Sequence, residues 1–176
     1  IDINKAEEEG CTALYQASYK GHVGVVKLLL SKRDIDINKA RDGGFTALYV
    51  ASEKNYIEVV RLLLSKSDID INKAVDDGAT ALFMASQNGH SAVVRLLLST
   101  SDIDINKAKD SGATALYIAS ENNHVDVVQL LLSNSNIDIN KAKGTAVTAL
   151  YVASEKDHVE VVRLLLSKSD IDMNKA

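Results

Sequence analysis

Four histidines, His22, His90, His124 and His158, are the residues of this 176-residue chain best suited to metal or acid–base chemistry. The ligands of one zinc ion must all lie about 2.0–2.3 Å from it. These histidines recur at one position of a repeating unit, and stacked helices hold neighbouring copies about 8–10 Å apart. They cannot converge on one metal; each is expected to start a helix and hold the turn before it. Ser18 with His22, and Ser86 with His90, set a nucleophile near a base. The pairing recurs in four of five units, however, with no orienting acid and no oxyanion hole. Small serines that let helices approach closely explain the pattern better. The glycines are isolated and form neither a P-loop nor a dinucleotide fingerprint. Glu7-Glu8-Glu9 lacks the spacing of a calcium loop and reads as a solvated turn. No catalytic residue, metal or cofactor is expected, and an enzyme is the remotest of the functions considered.

The elements that must carry these residues are set by a fixed repeat. Ile-Asp-Ile-Asn-Lys-Ala begins at Ile1, Ile35, Ile69, Ile103 and Ile137, and returns as Ile-Asp-Met-Asn-Lys-Ala at Ile171, always 34 residues apart. The chain divides into repeats 1–34, 35–68, 69–102, 103–136 and 137–170, with 171–176 opening a sixth. Ile-Asp-Ile alternates as a short extended segment does. A turn follows at Gly10, Gly44, Gly78 and Gly112, whereas Gly144-Thr145-Ala146 reshapes it in repeat five. Thr12, Thr46, Thr80, Thr114 and Thr148 are expected N-caps of a first helix of about nine residues, the first of which runs through Leu14 and Ala17 to Lys20. Gly21, Asn55, Gly89, Asn123 and Asp157 tolerate the left-handed conformation that ends such a helix. A second helix carries Val25, Val26 and Leu28 to Leu30 and their copies. Its polar stripe is narrow (Glu58, Arg61, Ser65), so it must be buried on several sides, which only stacked neighbours provide.

Composition narrows the function classes. Apolar residues make up 46% and charged residues 25%, the mix of a chain that buries a core. Twenty basic against 24 acidic residues leave a net charge of −4 and no basic face for phosphates, so no nucleic-acid partner is expected. The apolar run Val25-Val26 to Leu28-Leu30 is too short to cross a bilayer. Cys11 is the single cysteine, so an intrachain disulfide is excluded. An intracellular, cytoplasmic setting is the expectation. The chain opens without an initiator Met, as a fragment or processed product does.

Gly78-Ala79-Thr80-Ala81-Leu82-Phe83-Met84-Ala85-Ser86 resembles the G-x-T-P-L-H-x-A-A run of ankyrin repeats. Gly89-His90-Ser91-Ala92-Val93-Val94-Arg95-Leu96-Leu97 is similar to their G-H-x-x-V-V-x-x-L-L run, and Asp104-Ile105-Asn106 to their D-V-N. Tetratricopeptide repeats share the period but lack the finger. The resemblance covers the whole chain. It implies an all-α solenoid: a stack of antiparallel helix pairs with short, β-hairpin-like extended fingers, acting as a protein-interaction module. In that family the asparagine matching Asn4, Asn38, Asn72, Asn106 and Asn140 bonds backbone in the finger turn, and in some members it is hydroxylated. Three departures stand out. The family's proline is Ala13, Ala47, Ala81, Ala115 or Ala149; its histidine is Tyr15, Tyr49, Phe83, Tyr117 or Tyr151; and Ser65-Lys66-Ser67-Asp68 replaces the glycine after helix two, so another cap must end that helix.

Seventeen of the 34 repeat positions are identical in all five copies. Variation collects at two places that, in ankyrin-like stacks, line one concave binding face. The first is the fingertip, with Glu7, Glu8, Glu9, Arg41, Asp42, Asp76, Asp77, Lys109 and Asp110. The second is the end of helix one, with Tyr19, Lys20, Glu53, Lys54, Gln87, Asn88, Glu121 and Asn122. Phe45 is the one large aromatic among Cys11, Phe45, Ala79, Ala113 and Val147. With Tyr19 it is an expected anchor for a protein or peptide partner, with the fingertip carboxylates as an acidic rim; folding down as a packing residue is the other reading of Phe45. A structural spacer or spring is the rival function. Repeat one carries polar or small residues at Gln16 and Gly24, whereas repeat five matches interior copies, so a monomer able to stack end to end through its last repeat is expected.

Overall fold

The computed structural model describes residues 2–144 and 147–173; Ile1, part of the repeat-five turn and the last three residues of the opening sixth repeat lie outside the described residues. Ten short helices follow in pairs: α1 (Ala13–Tyr19) and α2 (Val23–Leu30), α3 (Ala47–Glu53) and α4 (Ile57–Leu64), α5 (Ala81–Gln87) and α6 (Ser91–Leu98), α7 (Ala115–Glu121) and α8 (Val125–Leu132), α9 (Ala149–Glu155) and α10 (Val159–Leu166). Each first helix packs on its own second helix and on the first helix of the next repeat, and the second helices form a parallel rank behind. None of the described helices is long and apolar enough to cross a membrane.

Local chemistry accounts for each boundary. The Thr80 hydroxyl accepts the Phe83 N–H, and all five threonines cap alike. The first helices have seven residues rather than nine, because Lys20, Lys54, Asn88, Asn122 and Lys156 are C-caps. The next residue turns left-handed in every repeat, from φ 58° at Asn123 and Asp157 to 70° at Gly21 and Gly89. The N–H after it then reaches a carbonyl five residues back, as in His90 to Ala85 at 2.9 Å. Helix two ends without glycine. Its C-cap serine donates its hydroxyl to the carbonyl three residues earlier, Ser65 to Leu62 at 2.6 Å and likewise at Ser31, Ser99, Ser133 and Ser167.

The finger differs from an extended Ile-Asp-Ile segment. The Asp36 carboxylate accepts the Asn38 N–H, and the turn so made buries Ile37 in the core. Ile71, Ile105 and Ile139 follow the same path. A side-chain oxygen two residues back mimics a backbone turn, which overrides the β preference of isoleucine. The hairpin lies further on: Arg41 N–H donates to Phe45 O, and Gly44 N–H to Arg41 O. Gly44, at φ 83°, also lies so close to the next finger that a Cβ would sit 2.8 Å from Val75 Cα. Two apolar clusters result. The main one runs between the helix layers, and a smaller one under the fingers holds Tyr15, Tyr49, Val75, Phe83 and Tyr117.

Candidate functional site

Both variable rows lie on the side of the stack where fingers meet first helices, and much of each row is already engaged in joining repeats. Along the fingertips, Asp42 N–H donates to Glu9 O, Asp76 N–H to Gly43 O and Asp110 N–H to Asp77 O, at 2.9 to 3.0 Å. Arg41 pairs with Glu9 at 2.7 Å and Lys109 with Asp77 at 2.6 Å, each across a joint. The Lys109 ammonium, together with the Ala79 N–H, holds the Asp77 carboxyl below its ordinary range. Glu7 pairs with Lys5 at 3.4 Å. Glu8 and Asp42 are exposed tip residues.

The same cations have a second task. The Arg41 guanidinium stands 5.7 Å from the Tyr15 ring centre and 5.5 Å from that of Phe45. A bond from its Nη1 to the Tyr15 hydroxyl is the main reason its pKa is raised. Lys109 lies over Phe83 at 5.2 Å and Lys143 over Tyr117 at 4.8 Å. A cation of one repeat thus lids the aromatic ring of the repeat before, and Val75 holds the corresponding position in repeat three. Sequence reasoning took Arg41 and Lys109 as partner-facing and did not foresee that they, with Lys143, cover these rings. The signal was present: an aromatic at one repeat position is followed, in the next unit, by Arg or Lys in three of four cases.

Along the helix-one row, Lys20 and Lys54 each set an ammonium 5.3 Å from the Tyr19 ring centre, and Tyr19 stacks on Tyr15. Phe45 is half-buried, its ring edge-on to Tyr49 at 5.3 Å. It is therefore partly the packing residue of the second reading. Tyr19, Tyr15, Arg41, Phe45 and Tyr49 form one continuous strip over the joint between repeats one and two. Burial, aided by Glu53 and Asp77, pushes the Tyr49 phenol up to about 12. Further along, Glu53 pairs with Lys54 and Glu121 with Lys156. Backbone carbonyls of this row also work: Glu53 O accepts from His90 Nε2 at 3.0 Å and from Asn88 Nδ2 at 3.3 Å, and Gln87 O from His124 Nε2 and Asn122 Nδ2, both at 2.9 Å.

Those bonds correct the assignment of the histidines. The rings of His90, His124 and His158 do not bond within their own helix turn, which only the backbone N–H closes; each reaches back one repeat to the end of helix one. A carbonyl only accepts, so Nε2 carries the hydrogen. The His124 ring also covers Gly89, where a Cβ would meet Nδ1 at 2.6 Å. Ser86 stays fully buried with no hydrogen-bond partner, so serine and histidine form no couple. The repeated asparagines likewise act between units. Asn72 Nδ2 donates to Asp102 O at 2.7 Å, its Oδ1 accepts the Asp104 N–H at 2.8 Å, and its carbonyl accepts Lys107 Nζ at 2.8 Å. Asn4, Asn38 and Asn106 repeat all three contacts on the finger that follows.

The arrangement offers a polar surface of fingertips and helix ends. Its charge is one-sided: positions seven to eleven of the repeats hold seven carboxylates and three cations, an excess equal to the chain's whole net charge of −4. No curated protein matches the chain. The sequence model for Ankyrin repeats matches it three times, over residues 1–75, 66–143 and 107–176, and so spans its full length. Paired helices, capping threonines and inter-repeat fingers agree with that match, and the chain belongs to the ankyrin-repeat family.

Proposed function

Ankyrin repeats are in general protein–protein interaction modules, and we propose that this chain binds a protein partner through the face of its fingertips and first-helix ends, centred on the strip from Tyr19 to Phe45. The carrying observation is Tyr19. It is 37% exposed, and the other large apolar residues exposed among the described residues lie in α2 or from Tyr151 onward, away from this strip. An amphipathic ring held between two ammonium groups supplies contact area at little entropic cost, as interface anchors do. Glu8 and Asp42 lie at the neighbouring tips and favour a partner that sets Lys or Arg beside an apolar group.

The test is capture of binding proteins on the immobilised chain, with affinities measured for the chain, for Tyr19→Ala with Phe45→Ala, and for Arg95→Ala on the opposite helix layer. The double variant is expected to weaken binding by about 2 kcal/mol or more. The control should bind as the unaltered chain does. Affinity unchanged in the double variant, with or without lost folding stability, rejects the assignment of this face. One observation favours a spacer instead: the asparagine, lysine and threonine contacts repeat almost identically along the stack. A spacer would retain no protein on the column.

A further inference from the structure

Between the C-terminal ends of α2 and α4 the stack leaves a groove, formed by two adjoining hollows of about 220 and 390 Å³ that have Leu30, Ser65 and Lys66 in common. Its floor is aliphatic: Leu30 and Ile37 are buried, and Leu62 and Ile35 are half-buried. Its walls are basic. Lys27, Lys32, Arg33 and Lys66 line it, and Asp68 is the single carboxylate among the described lining residues. None of the four cations makes an ion pair, a side-chain hydrogen bond or a ring contact among the described residues. By contrast, Arg41, Lys109 and Lys156 are each paired across a joint.

The scaffold does not need these charges. Helix ends favour cations, yet Thr100 and Asn134 take the place of Lys66 in the next two repeats, serine replaces Arg33 in every other repeat, and Gln129 copies Lys27. The carbonyls there are already bonded: Ser31 Oγ donates to Leu28 O and Lys32 N–H to Leu29 O, and Ser65 and Lys66 repeat both bonds in α4. At the corresponding positions of the joint between repeats three and four, Arg95 is the one cation beside Thr100, Ser101 and Asn134. Lys27 and Arg33 are exposed, as are Arg61 and Ser67 in the next repeat, which has a neighbour on either side.

We infer that this groove is a second binding surface whose occupant is an acidic peptide segment, rich in glutamate or aspartate, with an apolar side chain between its carboxylates. Charge complementarity selects the occupant: four unpaired cations stand against one carboxylate, in a chain whose net charge is −4. One exposed ion pair contributes little, so several carboxylates must be held at once. An extended segment does this, because its side chains alternate between two sides. One apolar side chain can turn to the aliphatic floor while flanking carboxylates reach the walls. The groove has no residue in common with the strip from Tyr19 to Phe45, so the inference stands apart from the partner proposed for that face.

A peptide array probed with the labelled chain provides the test, followed by fluorescence anisotropy on the acidic peptides it retains. Acidic peptides carrying leucine or isoleucine are expected to be retained over neutral and basic ones of equal length. Lys27→Gln, Arg33→Gln and Lys66→Gln together should weaken their binding at least tenfold, and raising the salt from about 0.05 M to about 0.5 M should weaken it severalfold. Lys27→Arg with Lys66→Arg keeps the charge and should keep the binding. Arg95→Gln, Arg163→Gln and Lys168→Gln remove the same charge elsewhere and should change affinity less than twofold, as should Tyr19→Ala with Phe45→Ala. Circular dichroism is expected to stay unchanged in the groove variant, whose three altered side chains make no bonds. Retention of no acidic peptide overturns the inference. So does equal weakening by the groove and control triples, or tighter occupation of the groove by phosphatidylserine vesicles or single-stranded DNA than by the retained peptides.

Discussion

Replacing Ser86 with alanine should stabilise the protein. Its hydroxyl is fully buried at the heart of the stack and has no hydrogen-bond partner, as is true of Ser18, Ser52 and Ser120. Enclosing a hydroxyl without a bond costs about 1–3 kcal/mol in proteins. Alanine is also the better helix former by a few tenths of a kcal/mol. Against this stands the lost packing of one oxygen atom, about 0.5 kcal/mol at roughly 0.1–0.2 per atom pair. The net gain is about 1–2 kcal/mol. In a chain of this size each kcal/mol moves the thermal midpoint by roughly 2–4 °C. The assay is thermal and urea unfolding followed by circular dichroism, for Ser86→Ala and for the triple change at Ser52, Ser86 and Ser120. Separate sites add to within about 0.5 kcal/mol, so the triple variant should gain roughly three times as much. Ser154→Ala is the control, since that hydroxyl is exposed and donates to Leu150 O at 2.8 Å. It should change stability little. Destabilisation by Ser86→Ala of 1 kcal/mol or more would refute the reasoning and show that the buried hydroxyl is bonded.

Three further predictions follow from the joints. Asn106→Ala removes bonds to Asn136 O and from the Asp138 N–H, and should cost about 1–2 kcal/mol. Hydrogen exchange should then speed up in repeat five and hardly at all in repeat one; an even rise would contradict the assignment. In the unaltered protein the slowest exchange belongs in repeats two to four, which have neighbours on both sides, and slowest exchange in repeat five would break the nearest-neighbour picture. Tyr49 titrates near 12 when folded and near 10 when unfolded. The folded state thus holds its proton more tightly, and the stability so gained is full below pH 10 and lost as pH rises to 12. Tyr49→Phe should flatten that alkaline decline, measured by thermal midpoint against pH; parallel curves for the two proteins would reject the shift.

What could be read from the sequence, and what could not, separates by the range of the interaction. The threonine caps, the left-handed helix ends and the aliphatic ladders are local, and their residue types announce them. The site was less legible. Asn72 and His90 bond to groups 30 to 37 residues away in the neighbouring unit. In a chain of near-identical units, a residue and its copy are the same letter, so nothing tells a contact within a repeat from one between repeats. That ambiguity sent the His90 side chain to its own helix turn, and it hid the contact by which Arg41 lids Tyr15 of the repeat before. The finger failed differently, because the Asp36 side chain outcompeted the strand preference of its isoleucine neighbours.

The sameness of the joints bears on how the chain finds its native order. The helices of repeat two pack on those of repeat three, and the residue types found there at Ala81, Val93 and Leu96 return at Ala115, Val127 and Leu130 and at Ala149, Val161 and Leu164. During folding, a wrong pairing that skips a unit forms much the same hydrophobic contacts as the correct one and is penalised mainly by the loop it leaves out, a cost that grows only slowly with loop length. Discrimination is left to the few places where the units differ. Arg41 finds its acid in Glu9, Lys109 finds Asp77, and Val75 suits the apolar bed beside Tyr49. These fingertip residues act as addresses, and exchanging the tips of repeats two and three should slow refolding through out-of-order intermediates while leaving the buried stack intact.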